Sequence, residues 1–294
     1  MPEQTQAQIN EERKSFLQNI WKVFIIEAFL FFLTLGLGIV TAFRINEIVT
    51  VKKIDIPQIP FLQFIIQFFL ATLFIYFLIH FIKLKKQKST IFKALFVLAV
   101  FWGGMLVINS WIPVTPSFLL MGFLIIWWWK KPLILIQDLC IMLGIAGAGS
   151  MLGLAFSPEA VIIFLIIFSI YDLIAVYKTK HMVEMAKEMI KSKAILGMII
   201  PPDLSGFQES LKEIKPGGRF LILGGGDMVF PLLLCSSLIP SGIFNSLIVA
   251  FFSLFGLFVS FWFFVSQKKR KPIPALPPIA FFSILGYLMT KILY

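Results

Sequence analysis

The sequence predicts an all-α, polytopic membrane protein, and three observations carry that expectation. Of its 294 residues, 59% are apolar and only 14% charged, with a mean hydropathy of +0.93, which lies far outside the range of water-soluble domains. Apolar runs of about 20 residues recur along the chain, each long enough to cross a hydrocarbon core of ~30 Å at 1.5 Å per residue. The basic residues collect in short connections between those runs, where they act as topology signals.

Nine spans follow from the apolar runs, beginning near Trp21, Phe61, Ile91, Pro116, Leu133, Pro158, Phe220, Asn245 and Pro274. The run from Trp21 to Phe43 is too long for a signal-peptide core, and no small-residue cleavage site follows it. Asn109, Ser110, Pro113 and Pro116 mark a tight turn between the third and fourth spans. Lys83, Lys85, Lys86 and Lys88 follow the second span, Lys130 and Lys131 the fourth, and Lys268, Lys269, Arg270 and Lys271 the eighth. Those connections are expected inside, which puts the N-terminus in the cytoplasm and the C-terminus outside. Trp127, Trp128 and Trp129 then form an aromatic belt at the inner interface.

One long connection, from about Lys178 to Arg219, is expected on the cytoplasmic side. Met182 to Met189 has the spacing of a surface helix, and the stretch with Pro201, Pro202, Gly206, Pro216 and Gly217 reads as a mobile loop. The organisation is a single membrane-embedded domain: residues 1–157 as a scaffold of five spans, 158–219 as the sixth span and loop, and 220–294 as the last three spans.

The composition also excludes functions. A net charge of +11 does not make a nucleic-acid binder without a basic face on a water-exposed domain, and none is visible. Cys140 and Cys235 fall inside apolar runs and offer neither a disulfide framework nor a metal spacing. His80 and His181 are remote from both cysteines, and there is no His-Glu-x-x-His pattern, so no metal is expected. Ser150 with His80 fails as a hydrolytic pair, because Ser150 lies 19 residues past Lys131, ~28 Å toward the opposite face from His80.

Carboxylates inside spans carry the chemistry, since a charge at the bilayer centre costs roughly 2.5–3.5 kcal/mol on insertion scales. Glu27, Asp138, Asp172 and Asp227 qualify. Lys22 and Lys131 stand within two turns of Glu27 and Asp138 and give those two a structural explanation. Asp172 precedes Lys178 by about 9 Å of helix and Asp227 follows Arg219 by about 12 Å. On antiparallel neighbours they reach similar depth. Tyr171 precedes Asp172, and Gly224, Gly225 and Gly226 precede Asp227, in positions expected to be helical, at up to ~1 kcal/mol each relative to alanine. Small residues there admit a neighbouring chain. Pro272, Pro274, Pro277 and Pro278 hold the entrance of the last span extended until helix resumes near Ile279.

Together, Tyr171-Asp172, Gly224-Gly225-Gly226-Asp227 and Pro274-Ala275-Leu276-Pro277 resemble the YD, GxGD and PAL motifs of presenilins. Signal peptide peptidases share the set but face the opposite way, so the inside N-terminus favours presenilin. The resemblance implies an intramembrane aspartyl endopeptidase with Asp172 and Asp227 as the catalytic pair. It implies support and substrate positioning by Tyr171, Gly224, Gly225, Gly226, Pro274, Ala275 and Leu276. Helical membrane-protein segments are the substrates, the lipid bilayer is the surrounding partner, and the chemistry needs no cofactor. The rival from another class is a proton- or cation-coupled transporter or leak channel, where buried carboxylates and broken helices are equally expected. A multi-pass protein of the cell membrane is the expected setting.

Overall fold

Away from water each backbone N–H and C=O must find its partner within the chain, so helices dominate. The computed structural model describes residues 20–54, 56–81, 85–179, 189–190, 195–215, 218–267 and 272–293. Among them are nine α-helices: α1 Ile20–Val51, α2 Phe61–Phe81, α3 Lys85–Asn109, α4 Val114–Lys130, α5 Ile134–Ala155, α6 Pro158–Leu173, α7 Gly225–Ser237, α8 Ile243–Val265 and α9 Leu276–Leu293. Within the described residues, α1, α5, α8 and the α6 segment extended to Lys178 are long and apolar enough to cross a membrane. The remaining helices are shorter or less uniformly apolar in the described parts.

Local chemistry sets several boundaries. Ser157 caps α6 by accepting the Ala160 amide, with Pro158 in the first turn. Gly242, at φ 124°, makes the turn into α8 in a conformation that side chains resist. Helix α3 begins at Lys85, six residues before the expected Ile91, because a basic first turn is invisible to an apolar-run reading.

The all-α expectation is corrected at one place. Strand β1, Gly197–Ile200, pairs antiparallel with β2, Leu221–Gly224. Helix α7 therefore starts at Gly225, not near Phe220, and only Gly225 and Gly226 of the three glycines are helical. The four residues of β2 rise about 13 Å as strand, so the helical depth inferred between Arg219 and Asp227 does not apply.

The described part of the long connection is folded, not a mobile loop. Ile134, Ile195, Ile199, Leu211 and Ile214 form their own buried cluster. The amide of Ile134 donates to the Glu209 carbonyl at 3.0 Å and that of Leu211 to the Pro132 carbonyl at 2.9 Å. Arg219 donates to the Glu209 carboxylate. Asp203 caps a 3-10 turn over Leu204–Gln208. Ser205 and the Gly206 amide donate to it and hold its carboxyl below the usual range. The expected surface helix from Met182 lies outside the described residues up to Met189, as do Pro216, Gly217 and His181.

Helix α7 is the centre of the bundle, packed by α1, α5, α6, α8 and α9. Glycines set the approach distances. A methyl group added at Gly38 of α1 or Gly149 of α5 would come within 2.6 Å of the Leu232 side chain of α7. At Gly256 of α8 it would stand 2.5 Å from the Ile279 Cα and 2.7 Å from the Pro278 carbonyl, both at the start of α9. Ser253 and Ser283 hydrogen-bond across the same helix pair at 2.8 Å.

Because backbone, not a yielding side chain, faces Gly256, Gly256→Val is expected to destabilise the bundle by about 1–3 kcal/mol. A thermal scan of the purified protein in detergent checks this, and an unchanged midpoint would contradict the close α8–α9 contact.

Candidate active site

Asp172 lies one residue from the end of α6, where the backbone loosens into a single π-helical turn over Ile174–Lys178. Such turns concentrate at functional positions. Its side chain is 4% exposed. One oxygen, Oδ2, accepts the Leu276 amide at 3.3 Å. The other, Oδ1, is buried with no hydrogen-bond partner among the described residues.

The prolines explain why Leu276 is the donor. A helix leaves its first N–H groups without intrahelical partners, and Pro277 and Pro278, the second and third residues of α9, have none to offer. Residues 272–275 are irregular, as the sequence predicts, although helix resumes at Leu276 and not near Ile279. Pro274 and Leu276 are buried and Ala275 half-buried.

Asp227 is 8% exposed and stands in the first turn of α7. Gly224 is the N-cap, extended at φ −62° and ψ 141°, and its backbone hydrogen-bonds the Asp227 carboxyl. This is the geometry of an acid at the third helical position reaching back to the cap. A methyl group at Gly224 would lie 2.9 Å from Asp227 Oδ2, and one at Gly225 3.1 Å from the Leu196 carbonyl. At Gly226 it would meet nothing closer than the Phe230 ring at 3.7 Å, and Gly226 is exposed. Pro231 cannot supply the N–H that would ordinarily bond the Asp227 carbonyl.

The aspartates of α6 and α7 are close enough to interact electrostatically, and α9 reaches both helices. Asp172, Asp227, the three glycines and the Pro274-Ala275-Leu276 stretch therefore converge. Tyr171 does not: its side chain is 52% exposed on another face of α6.

The two carboxylates given a structural explanation from sequence, on the ground of lysines within two turns, are buried in the bundle. Glu27 of α1 is 4% exposed, has a buried Oε2 with no hydrogen-bond partner among the described residues, and lies within electrostatic range of Asp227. Asp138 of α5 accepts the Ile199 amide of β1 at 2.9 Å. Burial away from Lys22 and Lys131 was not legible, because both acids sit within two turns of those bases in the sequence. Ser150 donates to the Gly147 carbonyl at 3.0 Å. Among the described residues, no group of three His, Cys, Asp or Glu side chains is arranged to hold a metal ion.

Solved structures that resemble this fold include two of presenilin family proteases. A presenilin family intramembrane aspartate protease in space group C222 superposes with a TM-score of 0.62 at 18% identity, over 93% of this chain and 99% of the other. A presenilin family intramembrane aspartate protease in space group P2 gives 0.56 at 20% identity, over 90% and 97%. At these identities the likeness establishes the fold. No curated protein matches the sequence. The family model described as signal-peptide peptidase, presenilin aspartyl protease matches residues 25–294, and by that match the chain belongs to the signal-peptide peptidase and presenilin family of aspartyl proteases.

Proposed function

We propose that Asp172 and Asp227 are the catalytic pair of this intramembrane aspartyl protease. The observation that carries the proposal is the convergence of two buried, mutually interacting carboxylates from adjacent helices with the amide of Leu276. Two such groups cannot easily both ionise, so they share a proton and titrate as a unit. The ionised member takes a proton from water as the water attacks the peptide carbonyl, and the protonated member donates to the carbonyl oxygen. Family membership stands against the transporter reading.

A helical substrate hides its carbonyls in its own hydrogen bonds and has to unwind before attack. Two backbone edges outside any strand pairing among the described residues suit an unwound strand. One is the irregular stretch at Pro274 and Ala275. The other is the side of β2 turned away from β1, whose edge groups have no strand partner among the described residues. Gly226, exposed beside Asp227, leaves an added methyl only ordinary contact with the Phe230 ring. We assign Gly224 and Gly225 to holding Asp227, Gly226 to admitting substrate, and Pro274, Ala275 and Leu276 to substrate positioning and to Asp172.

The same reading takes the nine helices as nine spans of one membrane-embedded domain, with residues 1–157 as scaffold and the N-terminus inside. The lysines after the second, fourth and eighth helices support that orientation, and a cell-membrane location fits it.

In liposomes with a single-span peptide, Asp172→Asn and Asp227→Asn are each expected to lower kcat at least ~10³-fold, because neither pair retains a shareable proton. Cleavage near the wild-type rate by either would end the proposal. The wild-type rate is expected to fall on both sides of an optimum: in acid as both carboxyls become protonated, in alkali as both ionise. A rate flat across the range contradicts a shared proton.

The glycines separate two roles. Gly224→Ala pushes against Asp227 and is expected to reduce kcat, whereas Gly226→Ala makes only ordinary van der Waals contact with the Phe230 ring and is expected to leave the thermal midpoint unchanged while raising KM. Initial-rate kinetics on both variants check the split, and a reversed pattern contradicts it.

A further inference from the structure

Beyond the pair itself, a buried polar chain ties β1 to α5. Trp128 Nε1 donates to Gln137 Oε1 at 2.6 Å, and Gln137 Nε2 donates to the Ile195 carbonyl at 2.7 Å. The next residue, Asp138, accepts the Ile199 amide at 2.9 Å. Trp128, Gln137 and Asp138 are at most 4% exposed. Two consecutive side chains of one helix thus hold the backbone at Ile199 within β1 and at Ile195, two residues before that strand.

The strand geometry shows why this bond is open to a side chain. The Gly225 amide donates to the Leu196 carbonyl at 3.0 Å, and Met198 stands opposite Leu223 and Ile199 opposite Ile222. Ladder bonds alternate along an antiparallel pair. Leu196 and Met198 therefore face β2, and the Ile199 N–H points away from it, toward α5. Asp138 takes that donor. Its second oxygen, Oδ2, is buried with no hydrogen-bond partner among the described residues.

Burying a carboxyl in a bundle core is expensive, and well-packed apolar side chains usually stabilise as well or better. What a directional bond adds is registry. A slip of one residue turns every side chain of a strand to the other face. β2 leads through Gly224 directly into Asp227, so the register of β1 on α5 sets where Asp227 and the free edge of β2 stand relative to Asp172.

We propose that Asp138 is a positioning residue that fixes the register of the β1–β2 pair against α5, and thereby selects which substrate bond reaches the catalytic pair. This rests on the reading of Asp227 as catalytic. It assigns Asp138 no contact with substrate.

The test uses the purified full chain in liposomes with a single-span peptide, with products identified by mass spectrometry. Asp138→Asn keeps an acceptor oxygen and is expected to cleave the wild-type bonds within about threefold of the wild-type rate. Asp138→Leu removes the acceptor; it is expected to lower kcat about tenfold or more, change KM little, and spread cleavage to neighbouring bonds. Ile199→Pro removes the donor from the opposite side while sparing the ladder bonds, and is expected to spread cleavage in the same way. That variant also serves should Asp138→Leu fail to fold.

Wild-type bonds and rate in Asp138→Leu overturn the proposal, as does wild-type cleavage in Ile199→Pro. Equal damage from Asp138→Asn and Asp138→Leu also overturns it, because the acceptor would then not be what matters. Asp227→Asn is run beside them: activity in that variant sinks the catalytic reading, whereas an inactive Asp227→Asn with an unaffected Asp138→Leu sinks only the positioning role.

Discussion

Helix starts are where backbone donors go unused, and in a protein shielded from water an unused donor has to be met by the chain itself. Two such starts organise this molecule. At α9, the prolines at 277 and 278 leave the Leu276 amide as the available donor, and Asp172 takes it. At α7, the cap residue Gly224 is bonded by Asp227 from within the same turn. Both acids are thereby held by backbone, with no basic partner among the described residues. Each keeps oxygen capacity for other chemistry, as Oδ1 of Asp172, without a hydrogen-bond partner among the described residues, illustrates.

Those two helix starts need to be brought together, and glycine does this by permitting near backbone contact. Gly256 lets α8 hold the first turn of α9, and Gly38 and Gly149 let α1 and α5 close around Leu232 of α7. Packing of this kind, and not a hydrophobic force between helices, is what association within lipid relies on. The β1–β2 pair extends the same logic outside the helices. Its outward amide at Ile199 is met by Asp138, which couples the folded connection to the bundle.

Much of the architecture was legible because length and apolarity are one-dimensional properties. Seven of the nine helix starts, at Ile20, Phe61, Val114, Ile134, Pro158, Ile243 and Leu276, fall within two residues of the apolar-run boundaries. The aspartates and the proline stretch were legible as well, because a charge or a proline run inside an apolar segment demands a reason. What escaped the sequence was decided by partners distant in the chain. Leu221–Gly224 is a short apolar run that periodicity cannot tell from helix; its pairing with residues 197–200 makes it a strand. Tyr171, adjacent to Asp172, turns to another face because neighbours on a helix point about 100° apart. Glu27 and Asp138 have nearby lysines in sequence, yet burial carries them elsewhere.

The central claim is that the side chains at 172 and 227 face one another across α6 and α7. The most direct measurement is thiol cross-linking of an Asp172→Cys, Asp227→Cys double variant, with Cys140 and Cys235 replaced by alanine, using a bifunctional methanethiosulfonate with a spacer of a few bonds. The account predicts rapid intramolecular cross-linking that slows when an aspartyl-protease transition-state isostere occupies the site. Failure to cross-link in a folded protein, while each cysteine alone reacts with a monofunctional reagent, would contradict it.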